Sequence, residues 1–139
     1  MRQSTASGAD LTVGLAERAV ISAAYPETKR TYLRLGGAEL SGCNLFYLAT
    51  PAALNVLEFW QSAEQDRKKP WRIAWRFGPL TALRIFLSRA GPEAVFALLS
   101  KRLGAQVSPI ILPFAEAAID VDKPSDLRLV RGILAARSE

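Results

Sequence analysis

Two aspartates, Asp120 and Asp122, stand one residue apart near the end of the sequence, in the run AAIDVDKPSDLRLV. If that run is extended, the two-residue period of a strand puts both carboxylates on one face. Carboxylates are hard oxygen donors, suited to magnesium, manganese or calcium. The same residues also read as the start of a helix. Pro124 fits the first helical turn, and Asp126 would meet the positive end of the helix dipole there. Spacing alone leaves both readings open. The chain has no histidine, which excludes histidine-ligated metals and Ser-His or Cys-His catalysis within it.

A second constellation is SGCNLFYL, residues 41–48. Gly42 permits close backbone approach, and Asn44 offers both a donor and an acceptor. It reads either as a binding strand or as a hairpin strand with a bulge at Gly42 and a buried Asn44 bonded to backbone. The third is basic: residues 67–92 hold seven Lys and Arg and no acidic residue, within a chain of net charge +5. Arg72 and Arg76 stand four apart, as do Trp71 and Trp75, so each pair shares a helix side. A solvated basic face, a phosphate-binding surface and a membrane-surface helix all fit this pattern. Basic residues beside aromatics also suit nucleic acid, but no recognised nucleic-acid motif accompanies them.

The elements that must position these residues follow from pattern. At 139 residues, 50% hydrophobic and 22% charged, one globular domain is expected. Residues 1–9 are small and polar and read as a flexible N-terminus, and residues 10–139 read as the folded part. Strands are expected over 10–16 and 30–35. Gly36-Gly37 signals a hairpin, with the returning strand over 38–49. Thr50 can cap a helix whose first residue is Pro51, with Leu54, Leu57, Phe59 and Trp60 near one side. A helix over 92–103 ends at Gly104. Short strands are expected within 105–113 and 117–121. The last helix, from Pro124, carries Leu127, Val130, Ile133 and Leu134 on one face. Strands alternating with helices imply an α/β or α+β sheet covered by helices. One cysteine, Cys43, excludes an internal disulfide, no apolar run is long enough to span a bilayer, and the expected location is cytoplasmic.

The run IDVDKPSDLRLVRGIL resembles the closing segment of the MobA-like nucleotidyltransferases, in which a D-x-P-x-D-L pattern opens the last helix. SGCNLF is similar to the family's G-x-N-L-F strand beside its acceptor pocket, and ETKRTYLRL resembles the segment just upstream. The basic R-K-x-P stretch is similar to a helical insertion in relatives that act on polyol or sugar phosphates. The resemblance implies an α/β fold: a partial Rossmann-like nucleotidyltransferase sheet, its C-terminal half, with a β-hairpin and a helical insertion. It implies transfer of a nucleoside monophosphate from a nucleoside triphosphate to a phosphorylated small-molecule acceptor, with pyrophosphate released. It singles out Asp122 as a Mg2+ ligand and leaves Asp120 structural. It makes Gly42 and Asn44 acceptor-pocket residues, and Lys29, Arg30, Arg67 and Lys68 contacts for an anionic substrate.

The family's nucleotide site needs a glycine-rich loop of the form L-x-x-G-x-G-x-R and an aspartate on a central strand. LRLGGAELSG has glycines but sits in the expected hairpin and lacks the following basic residue and helix. The chain is therefore expected to be inactive alone, and to associate with itself or with a missing N-terminal half through an exposed sheet edge and apolar surface. The competing class is a non-enzymatic basic amphipathic module that binds an anionic membrane surface or an acidic partner through residues 67–89.

Overall fold

The computed structural model describes residues 2–65, 78, 80 and 91–137. Its elements are α1 (Arg2–Ala6), β1 (Leu11–Glu17), α2 (Arg18–Ala24), β2 (Leu33–Leu35), β3 (Ala38–Leu48), α3 (Ala53–Gln65), α4 (Pro92–Leu103), β4 (Val107–Ile111), a 3-10 helix (Ala115–Ala118) and α5 (Pro124–Arg137). The strands form one mixed sheet in the order β2-β3-β1-β4. β1 is antiparallel to β3 and parallel to β4. The expected α/β class holds: the mixed sheet and its helices are consistent with a partial Rossmann-like fold. The helical insertion is seen at its flanks, α3 and α4, and the basic run between them lies outside the described residues.

β1 is central because its sequence, LTVGLAE, can be buried on both faces; every residue but Val13 and Glu17 is buried. Leu11 and Ala16 differ in parity along this strand, so they face opposite sides. Around Leu11 pack Ala53 and Val56 of α3, Ala105 and Val107, with Phe96 and Leu103 of α4 against them. Around Ala16 pack Ile21 of α2, Cys43 of β3 and Ala118 of the 3-10 helix. The hairpin forms where Gly36-Gly37 demands it. Their φ angles of 58° and 91° are the left-handed values of a type I′ turn, with Leu35 paired to Ala38.

Several local expectations change. Residues 2–6 form a short helix where a loose terminus was expected. Only 33–35 of the expected strand over 30–35 pairs. Helix α3 begins at Ala53, and the Thr50 hydroxyl donates to Asp10 Oδ1 instead of capping it. Residues 117–121 are not a strand: Ala117 and Ala118 belong to the 3-10 helix, and an irregular run leads to α5. The apolar face expected on α5 exists but buries no residue among those described.

Candidate functional site

The site starts from a flaw in pairing. β1 and β3 run in register from Leu11↔Leu48 to Val13↔Phe46, and resume at Leu15↔Gly42. Gly14 alone therefore faces Cys43, Asn44 and Leu45. Crowding here explains the glycine. A Cβ at position 14 would lie 3.1 Å from Leu45 Cβ and 3.1 Å from Leu112 Cδ1. Asn44 takes up the excess length with φ 51°, a left-handed value that asparagine tolerates better than most residues. A bulge re-aims side chains at the point where it breaks the ladder. The bulge is thus at Asn44, not at Gly42, and Asn44 is exposed instead of buried.

Its partner is the aspartate that the sequence reading left structural. Asn44 Nδ2 donates to Asp120 Oδ2 at 3.0 Å. Arg30 Nη2 donates to the same oxygen at 3.0 Å and to the Gly42 carbonyl at 3.4 Å. The Arg30–Asp120 ion pair is largely shielded, with side-chain exposures of 16% and 26%. Two expected acceptor-side residues, Arg30 and Asn44, therefore converge on Asp120, and a third, Gly42, accepts from Arg30 through its carbonyl. Beneath them the Cys43 thiol is buried, and burial raises its pKa. This thiol is structural in character, because a reactive one needs its thiolate stabilised.

Asp122 stands apart. Its backbone N–H and that of Lys123 donate to Asp126 Oδ2 at 3.1 and 2.9 Å, so Asp126 fastens the start of α5, as its place in the first turn foretold. The Asp122 side chain is exposed, and no described residue donates to its carboxylate. The irregular backbone here breaks the two-residue period that would have put the two aspartates side by side. Asp122 can offer one hard oxygen ligand to magnesium. Among the described residues no three His, Cys, Asp or Glu are grouped to hold a metal ion. Lys29 is exposed and joins none of these contacts. Arg67 and Lys68 lie outside the described residues.

Sequence reasoning missed one cavity. An open groove of about 520 Å³ runs along α5, lined by Leu129, Ile133, Arg128, Arg137, Tyr25 and Glu116. Tyr25 Oη donates to Glu116 Oε1 at 3.1 Å, and Arg137 approaches the same oxygen at 3.5 Å. Burial and then Glu116 push the Tyr25 pKa up, while the Glu116 pKa is held down by its own backbone N–H and by these partners. None of the residues converging on Asp120 lines this groove.

No protein-family model matches the chain. No curated protein matches it. A solved structure from Thermus thermophilus is similar, with 29% sequence identity and a TM-score of 0.74. That protein is described as a hypothetical transferase. The match covers 88% of this chain and 53% of that one, so the chain spans about half the length of the solved structure. Among the described residues no helix is long and apolar enough to cross a membrane.

Proposed function

We propose that the chain is a transferase part: the acceptor-binding, C-terminal portion of a MobA-like nucleotidyltransferase. The observation that carries this reading is the convergence of Arg30, Gly42 and Asn44 at the bulge of β3. The similarity to a hypothetical transferase supports the broader class. The complete enzyme would have an oxygen of a phosphorylated acceptor attack the α-phosphorus of a nucleoside triphosphate, with pyrophosphate leaving. Such a transfer needs cations to offset charge on the phosphoryl oxygens. Mg2+ would supply that charge, and Asp122 would be one of its ligands. The glycine-rich cradle for the triphosphate is not in this sequence. The isolated chain is therefore a binding half, with no turnover of its own.

Two measurements test the reading. Purified chain with Mg2+, myo-inositol 1-phosphate and each nucleoside triphosphate in turn is expected to release no pyrophosphate. The same chain is expected to bind myo-inositol 1-phosphate by calorimetry, and Asn44→Ala is expected to weaken that binding about ten-fold, the value of a lost hydrogen bond to a charged or strongly polar group. Pyrophosphate release by the chain alone, or binding indifferent to Asn44, would sink the proposal. The alternative, a basic module on an anionic surface, rests on residues 67–89, outside the described residues. Salt-sensitive sedimentation with anionic vesicles, unchanged by Asn44→Ala and Asp122→Ala, would favour it instead.

A further inference from the structure

We infer that Asp120 determines what this side-chain cluster accepts: by occupying Arg30 Nη2 it opposes a bidentate phosphate grip and leaves acceptor atoms suited to hydroxyl groups. This rests on the acceptor-binding reading above. A guanidinium presents two side-by-side donor pairs, Nη1 with Nη2 and Nε with Nη2. Both pairs include Nη2. In this site Nη2 already donates to Asp120 Oδ2 at 3.0 Å and to the Gly42 carbonyl at 3.4 Å. Arg30 keeps only Nε and the outer Nη1, which do not form a pair. A parallel double contact with a phosphate must compete with Asp120 and Gly42 for Nη2.

Charge points the same way. Arg30 and Asp120 together are neutral, and a phosphate brought to this spot meets the Asp120 carboxylate. What the cluster does offer is Asp120 Oδ1 and Asn44 Oδ1, to which no described residue donates. Both accept hydrogen bonds. A carboxylate oxygen beside an amide oxygen matches a ligand that brings O–H donors, so the hydroxyl-bearing part of the acceptor sits here. Its phosphate is bound elsewhere.

Nitrogen-15 NMR of the full chain tests this, with the Arg30 Nε–H and Asn44 Nδ2–H2 signals as reporters. In the wild-type protein, unphosphorylated myo-inositol is expected to move the Asn44 signal, and inorganic phosphate is expected to leave the Arg30 signal in place. D120N removes the competing charge and leaves Nη2 only a neutral amide oxygen, a weaker hold, at this position. It is expected to bind inorganic phosphate about ten-fold more tightly than the wild type, the gain from a regained charge-assisted contact. Phosphate that moves Arg30 Nε–H in the wild type overturns the inference, and that readout needs no variant to fold. So does a folded D120N, or a folded Asp120→Ala, that binds phosphate no more tightly. Myo-inositol 1-phosphate separates the two levels of the argument. If it binds the wild type while these results fail, only the role of Asp120 falls. If it binds neither protein, the acceptor-binding reading falls.

Discussion

Asn44 has two jobs at one Cα. Its backbone holds a left-handed φ of 51° inside a strand, and its amide ties β3 to Asp120. A left-handed conformation costs an ordinary L-residue about 1–2 kcal/mol. Asn44→Ala therefore keeps the strain, raises its cost and loses the hydrogen bond, and should lower stability by about 1–2 kcal/mol in urea unfolding. Asn44→Gly relieves the backbone and loses only the bond, so it should be the milder of the two. The reverse order would mean that the φ of Asn44 carries no strain. Arg30 and Asp120 are half of the same device. Their pairing was not legible in the sequence, because Arg30 and Asn44 lie 90 and 76 residues from Asp120. Local spacing joined Asp120 to Asp122, whereas the tertiary fold joined it to Arg30.

At the scale of elements, β4 shows how an edge is finished. Ser100 of α4 lies against Val107: the Val107 N–H donates to Ser100 Oγ at 2.7 Å, and the hydroxyl proton has the Phe96 and Val107 carbonyls in reach. Two residues on, Pro109 has no N–H to offer. Such an edge resists pairing with a further strand. Ser100→Ala leaves the buried Val107 N–H without a partner and should cost about 1–3 kcal/mol of stability, read from the denaturation midpoint. Just before β1, Asp10 accepts from the Thr50 hydroxyl and from the Gln106 N–H, joining the starts of β1 and β4 to the end of β3. These bonds, Thr50 first, hold the Asp10 pKa below its ordinary value of 3.8. A depressed carboxyl stabilises the fold above its unfolded pKa and loses that contribution as pH falls through the folded one. Stability should therefore drop as pH is lowered below about 4. The drop should be shallower in Asp10→Asn, followed by urea midpoints across pH.

Elements with a local cause were legible. The Gly36-Gly37 hairpin, the Gly104 stop of α4 and the Asp126 hold on the start of α5 each rest on residues within a few positions of one another. The place of the bulge was not: a bulge at Gly42 was one reading, and it fell at Asn44 because its position is a count of β3 residues against β1, about thirty positions away.

For the whole molecule, the outer end of β3 is an exposed apolar part of the described sheet. β2 pairs with it only over Ala38–Leu40. Beyond that, Leu45, Phe46 and Leu48 are 52%, 39% and 42% exposed, and Trp60, edge-on to Phe46 at 6.0 Å, is 55% exposed. Phe46 and Leu45 are neighbours in a strand, so apolar side chains emerge on both faces of its outer end. That is the pattern of a strand meant for a sheet interior. The chain spans about half the length of the solved structure that it resembles. Left uncovered, the patch should drive association, since apolar surface and a strand edge without a partner among the described residues both favour contact. Sedimentation velocity should show the purified chain gaining mass as its concentration rises. Leu45→Lys with Leu48→Lys should return it toward the monomer, because two lysines put charge on the edge without touching the Leu11 or Ala16 clusters. A wild-type chain that stays monomeric across the range would show that this end of β3 is already covered within the molecule.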